Sequence, residues 1–400
     1  MARRRKYVRW LRQAGITILV VAGIVLVAEW VARGFQDKLL DPKTHPMFAF
    51  DPLLGHTFKP YLAMDLESPA GERVVIDINS MGLRDRQVGA RARGGVRIVG
   101  LGDAMTAATF VPQGGTYLRV LEKNLDAADP QGSTYRVVNA AVNGYGLQQS
   151  HDLLLKMGET LDPDVVLIGL YIGDDIQDYG RKQGLPVPGK SFWRAHSYLY
   201  HLLKRGYHGL RGLGRSRPAE EKPDRLPEWR DVFARYGEVP EDDPILRYGT
   251  ESRREFGLYR PGGGMAAAWS STKAVLEGIQ DLSGALGAKT LLVLLPTKLQ
   301  VVSAEREKAA TLVGLSEANL RMERPQDELL RMAAELELPV VDLLDDFRCA
   351  PSPDSLYFPR SRFWNRQGHL VAAEVIGHML KSGGILESPA PATESLPTPR

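Results

Sequence analysis

Three carboxylates, Asp103, Asp174 and Asp175, fall just after apolar runs that read as strands, and are the first residues here whose types could do chemistry. Together they could offer oxygens to a divalent cation. Hard cations take six or more oxygen ligands, and the sequence supplies no further ligand beside these three, so neither a metal nor a cofactor is expected. Thr106 and Thr109 offer hydroxyls. Neither has an adjacent base, which leaves turn or capping roles as the reading for both. The single cysteine, Cys349, follows Asp345-Asp346-Phe347-Arg348, whose acids work against a reactive thiolate. His196, His201 and His208 lack the i, i+4 spacing that puts two imidazoles on one helix face for a metal. His369, after Gly368, is the remaining candidate base.

The elements that must position these groups alternate. Mostly apolar runs at 96–102, 135–142, 164–172, 289–295 and 338–344 predict strands buried on both faces. Helical patterns follow at 116–127, 147–161, 266–286, 326–337 and 369–381. Five strands and five helices in this order imply a doubly wound α/β domain with its site at the carboxyl ends of a parallel sheet. Asp103, Asp174 and Asp175 all fall at such ends.

The flanking segments differ in kind. Arg3, Arg4, Arg5, Lys6, Arg9 and Arg12 precede an uncharged apolar run at 14–28, prolonged past Glu29 by Trp30, Val31 and Ala32. The first 34 residues thus read as a basic cytoplasmic tip and a transmembrane anchor, placing the rest of the chain on the far side of the cytoplasmic membrane in a single-pass arrangement. A cleaved signal peptide is the competing reading, but Glu29, Trp30 and Arg33 stand where cleavage requires small residues. Residues 35–95 form a lead-in with short strands, including a turn at Asp51-Pro52-Leu53-Leu54-Gly55 and a strand at 74–78. The main domain spans 96–383, interrupted by a long insertion at about 179–264. In it Leu199, Leu202, Leu203, Leu210 and Leu213 recur at helical spacing beside many basic and aromatic residues, open to packing on the domain, to the membrane surface or to an anionic polymer. The tail at 384–400 has too little apolar content to fold. A formal net charge of +3 gives no electrostatic case for a nucleic-acid partner, and 44% hydrophobic content is enough for a real core.

Several blocks, in order, carry a resemblance. Asn79-Ser80-Met81-Gly82-Leu83-Arg84-Asp85, Leu101-Gly102-Asp103, Asn139 to Gly146, Pro163-Asp164-Val165-Val166, Leu170 to Asp175, and Trp364-Asn365-Arg366-Gln367-Gly368-His369 together resemble the SGNH, or GDSL, hydrolase family. That family comprises esterases, lipases and carbohydrate acetyl-esterases. The resemblance implies a three-layer α/β/α flavodoxin-like fold with a central parallel five-stranded sheet. It also implies a serine nucleophile, oxyanion donors, a histidine base and an orienting carboxylate. By this resemblance Ala104 stands at the serine position, Gly144 and Asp174 at the oxyanion-hole positions, Phe363 at the histidine and Ser361 at its aspartate. Asn143, Asp103 and Asp175 line the same cleft, and His369 matches a second Gly-His that opens the last helix. Of the four requirements only Gly144 is kept. A methyl group cannot attack a carbonyl, and an ionised carboxylate at 174 would oppose an oxyanion at ~4 Å by about 4 kcal/mol.

The implied function is therefore a membrane-tethered relative of esterases, itself catalytically degenerate, that binds a glycan, lipid or acyl-ester ligand or scaffolds protein partners in the cell envelope. The alternative is an active esterase, acetyl-esterase or acyltransferase with a non-standard nucleophile.

Overall fold

The computed structural model describes residues 2–35, 47–92, 94–128, 134–173, 175–176, 197–212, 250–260, 265–312, 314–359 and 361–386. In chain order its first half runs α1 (Ala2–Arg33), β1 (Phe48–Asp51), β2 (Gly55–Phe58), β3 (Ala63–Glu67), β4 (Arg73–Asp77), β5 (Val96–Gly102), α2 (Ala104–Ala107), α3 (Tyr117–Ala128), β6 (Tyr135–Asn139), α4 (Leu147–Leu161) and β7 (Val165–Tyr171). Its second half runs α5 (Tyr198–Gly212), α6 (Thr250–Tyr259), α7 (Ala266–Ala285), β8 (Lys289–Leu295), α8 (Lys298–Val301), α9 (Ser303–Leu312), α10 (Arg324–Glu335), β9 (Val340–Asp342), α11 (Leu344–Arg348) and α12 (Arg366–Ser382). The chain divides into two compact units: Met1–Lys59 with Lys182–Glu228, and Pro60–Arg181 with Trp229–Arg400.

In the first unit, α1 contains a stretch, Arg12–Arg33, long and apolar enough to cross a membrane. Its apolar side chains, among them Ile18, Leu19, Ile24 and Leu26, are exposed. The antiparallel hairpin β1–β2 turns at Asp51, whose Oδ1 accepts from the N–H groups of Leu53 and Leu54 (both 2.9 Å). Phe48 and Phe58 stack across it at 5.2 Å. α5 realises the leucine periodicity of the insertion. The insertion residues Phe192, Trp193, Arg194, His196 and Leu213 lie outside the described residues.

In the second unit the hairpin β3–β4 precedes a parallel sheet of order β6-β5-β7-β8-β9. Every residue of the central strand β7 is buried, as its Val165-Val166-Leu167-Ile168 run requires when both faces are covered. Each such side chain is stabilised by roughly 1.5–3 kcal/mol on leaving water. α3 packs with α12 and α4 with α7, giving the α/β/α layering. The first strand in sequence, β5, has the second, β6, on one side and the third, β7, on the other. The reversal of winding between β5 and β7 opens a crevice at their carboxyl ends.

Three predicted strands are shorter than their apolar runs, β7 by one residue at each end and β6 and β9 by more. β6 ends at Asn139 rather than 142 because Asn139 Oδ1 accepts from Ala141 N (3.1 Å) and bends the chain, although Ala140 and Val142 still donate to Gly100 and Gly102. β9 ends at Asp342 because its Oδ1 accepts from Leu344 N (3.0 Å) at the start of α11.

Candidate functional site

The crevice begins where β5 runs into α2. Asp103 is the N-cap of α2, its Oδ1 accepting from Met105 N (2.8 Å), and Ala104 is the first helical residue, 8% exposed. Gly102 holds φ +153 in the strand-to-helix turn, where a Cβ would lie 2.5 Å from Thr106 Oγ1 and 2.8 Å from Gly169 O. No larger residue fits. The hydroxyls that follow are inaccessible: Thr106 is fully buried and accepts from Tyr117 Oη (3.1 Å), while Thr109 accepts from Asn143 Nδ2 (3.0 Å).

This turn is braced by the block after β4. Asn79 Oδ1 accepts from Met81 N (2.9 Å) and Leu83 N (3.1 Å), folding the chain so that Arg84 is carried inward. Arg84, 1% exposed, donates Nη1 to Ala107 O and Ala108 O (2.8 Å each) and Nη2 to Val111 O (2.7 Å). It thus ties together carbonyls at the end of α2 and in the turn that follows it. Burial pushes its guanidinium down to about 10. The adjacent Asp85 accepts from Asn139 N (2.6 Å) and Arg136 Nη2 (2.7 Å), tying the same block to β6.

Asn143 and Gly144 follow β6. Gly144 holds φ +79, a left-handed conformation that favours glycine. After β7, Asp175 accepts through Oδ2 from Tyr171 N (2.8 Å). Asp174 lies outside the described residues. Among the described residues no group of three His, Cys, Asp or Glu side chains converges as a metal would need.

The fourth part comes from the segment before α12. Phe363, 5% exposed, packs on Phe110 at 5.0 Å, and its N–H donates to Ser361 Oγ (3.1 Å). The Arg362 guanidinium lies over the rings of both Phe363 (5.9 Å) and Tyr171 (5.7 Å). Asn143 and Phe363 therefore both meet the turn that follows Ala104, through Thr109 and Phe110, and Phe363 and Tyr171 share Arg362. Asn365 caps α12 and donates Nδ2 to Ser355 O (2.8 Å) and Tyr357 O (3.0 Å), fixing the loop on which Ser361 and Phe363 ride. Lys298 Nζ holds the same loop through Phe358 O and Pro359 O (3.3 Å each).

His369 is 1% exposed, stacks on Tyr117 at 5.9 Å and accepts from Tyr117 N through Nδ1 (3.3 Å). Burial, with the charge of Arg84 added, pushes its imidazole down to about 3. The unfolded chain, at an ordinary 6.5, takes this proton first, so the stability this neutral histidine supports is held above about pH 6.5. It is lost as pH falls toward 3, at about 1.4 kcal/mol per pH unit. Asp342, raised by burial to about 6, works in the opposite direction between pH 6 and its ordinary 3.8. Comparing the unfolding free energies of the parent and of His369→Asn, both from urea titrations, isolates the histidine. The stability difference between them should shrink by about 2 kcal/mol from pH 6.5 to 4.5, and a constant difference would refute a buried neutral imidazole.

One cluster gave no signal that the sequence pattern singled out. Tyr259 Oη donates to Glu255 Oε1 (2.7 Å) and lies 3.0 Å from Thr297 Oγ1, just beyond β8. Glu255 is only 8% exposed, and burial drives the Tyr259 phenol well above its ordinary range. The i, i+4 spacing of Glu255 and Tyr259 on α6 was the available clue.

No protein-family model matches the sequence, and no curated protein sequence does. Among solved structures the chain is similar to a lipase/acylhydrolase from Enterococcus faecalis (13% identity, 72% of this chain and 96% of that one covered, TM-score 0.38). It is also similar to the esterase EstA from Pseudoalteromonas sp. (14%, 72% and 97%, 0.36) and to a catalytic mutant of Axe2, an acetylxylan esterase from Geobacillus stearothermophilus (15%, 76% and 100%, 0.37). The strand order, with helices packed on both faces of the parallel sheet, defines the class: a three-layer α/β/α flavodoxin-like fold.

Proposed function

We propose that this chain is a membrane-tethered, catalytically degenerate relative of the SGNH esterases, holding a glycan or acyl-ester ligand or scaffolding other proteins in the cell envelope. The observation that carries the reading is the contact between Phe363 and Phe110, 5.0 Å between ring centres and both rings buried. An apolar side chain fills the position at which the resemblance requires a base. Ala104, at the start of α2, has no atom that can attack a carbonyl, and the hydroxyls that follow it in sequence, of Thr106 and Thr109, are buried and hydrogen-bonded. His369 has its Nδ1 engaged and its ring enclosed.

A second observation supports the same reading. The blocks that match the family pattern hold the scaffold together. Asn79 turns the chain, Arg84 satisfies the end of α2, Asp85 ties in β6 and Asn365 caps α12. The departures fall at positions whose family role is chemical. Such a pattern suits a domain kept for its shape. The exposed apolar face of α1 and the basic residues before it support tethering, with the folded part on the far side of the cytoplasmic membrane.

The full chain in detergent, given a short-chain aryl acetate, is expected to show no turnover above buffer and no labelling by a fluorophosphonate probe. Saturable turnover that survives purification would overturn the proposal and require another nucleophile.

A further inference from the structure

The first unit contains a junction that the proposed function does not use. Glu29, near the end of α1, receives the N-terminus of α5 from the insertion. Its Oε2 accepts from Ser197 Oγ (2.7 Å) and Leu199 N (3.2 Å), and its Oε1 accepts from Tyr198 N (2.7 Å). Ser197 Oγ in turn accepts from Tyr200 N (3.0 Å). A carboxylate thus meets the open N–H groups and the positive end of a fifteen-residue helix. The Arg33 guanidinium lies 5.5 Å from the Tyr198 ring centre. Phe50 of β1 packs edge-on against Tyr198 (5.4 Å) and His201 (5.0 Å). The face of α5 carrying Tyr198 and His201 is therefore the docked one.

Where this junction sits relative to a bilayer follows from α1 alone. Trp10 and Trp30 are 62% and 75% exposed, and the helix between them presents only apolar or small residues from Ala14 to Ala28. At 1.5 Å per residue the two indoles stand about 30 Å apart along the axis, the thickness of a hydrocarbon core, and indoles favour its two boundaries. Glu29 is the neighbour of Trp30. The first turn of α5, within hydrogen-bond reach of Glu29, is thereby held at the lipid–water boundary.

The opposite face of α5 is built for that boundary. Leu203 (65% exposed) and Tyr207 (52%) are one turn apart on it, away from His201, with Lys204 exposed beside them. The helix sequence contains Lys204, Arg205 and Arg211 and no acid. An apolar pair with Lys204 exposed beside it, on a helix whose sequence carries cations and no acid, matches an anionic leaflet.

We infer that α5 is a membrane-interface helix, pinned by Glu29 at the lipid boundary and laying Leu203 and Tyr207 among the headgroups of an anionic leaflet. The inference rests on the reading of α1 as a membrane anchor. In that arrangement the insertion makes a second contact with the membrane, beside the spanning helix.

The experiment uses the full chain with Cys349→Ser, reconstituted in phosphatidylcholine vesicles with and without phosphatidylglycerol. Nitroxides are attached through Leu203→Cys, Tyr207→Cys, Leu19→Cys in mid-span and Leu155→Cys, an exposed position on α4. The expected ratio of oxygen to nickel-chelate accessibility at 203 and 207 is several-fold above that at 155 and rises with phosphatidylglycerol. Adding Glu29→Ala should return the label at 203 to the value at 155 while the label at 19 stays lipid-exposed. Labels at 203 and 207 that match 155 in both vesicles, with 19 lipid-exposed, would overturn the interface helix and leave the anchor standing. A water-exposed label at 19 would overturn the anchor itself and this inference with it.

Discussion

Replacing Arg84 with methionine is expected to lower the unfolding free energy by about 2–5 kcal/mol, the largest stability effect foreseen from a single substitution in this chain. Two contributions oppose each other. Removing the buried charge relieves a desolvation cost, visible in a guanidinium pushed down to about 10, equivalent to roughly 3 kcal/mol. Against it stand three donor bonds to Ala107, Ala108 and Val111 carbonyls, each worth roughly 1.5–3 kcal/mol when the donor is charged. The carbonyls would be left buried without this donor, so the loss prevails. Urea unfolding should show a lower midpoint at unchanged slope. Arg84→Lys should fall between, because one ammonium cannot reproduce a planar fork spanning three carbonyls. A methionine variant with the parent midpoint would mean that the turn after Ala104 does not depend on this side chain.

The largest functional effect is expected from restoring four positions together. Ala104→Ser alone should remain silent, since Phe363 offers no base and a serine without one is a weak nucleophile. With Asp174→Asn, Ser361→Asp and Phe363→His added, aryl acetate turnover should rise by about 10²–10⁴-fold over the buffer background at which the parent stays. Groups that act as one unit contribute together, so the gain should come with the full set rather than in equal steps. The local geometry favours the exchange at 361. Ser361 Oγ already accepts from the N–H of residue 363, and a carboxylate there could keep that bond. The exchange at 363 gives up the ring contact with Phe110 and should lower stability. Activity in Ala104→Ser alone would reveal another base. A folded but silent quadruple variant would show that the crevice has lost more than its reactive side chains.

Most of the sheet was legible because a strand buried on both faces must be apolar throughout. β5 and β8 coincide with their predicted ranges, and β7 is shorter by one residue at each end. The shortened ends at Asn139 and Asp342 were hidden because side-chain hydrogen bonds to the backbone, rather than hydropathy, terminate those strands. The short hairpin strands β1, β2 and β3 carry four or five residues each, too few for a periodic signal. At the site, the order of the motif blocks was readable, yet what Arg84 and Asp85 hold was not. Their partners lie 23 to 54 positions away, and nothing local announces them. The contact of Tyr259 with Thr297 escaped for a similar reason, since Thr297 reaches it from beyond the end of β8, although the i, i+4 spacing of Glu255 and Tyr259 was visible.

The same separation in sequence has a consequence in time. Ser197 and Tyr198 follow Glu29 by 168 and 169 positions. At a synthesis rate of roughly 5–20 residues per second, about 10–30 s pass between the emergence of this carboxylate and of the helix end it caps. During that interval strands β1 to β7 are all made, while the acid near the end of α1 waits for the helix it will cap. The last step of assembling the first unit is thus postponed until most of the sheet in the second has been synthesised. Its hydrogen exchange at Tyr198 and Leu199 would be the late-protected signal in a pulse-labelled nascent chain.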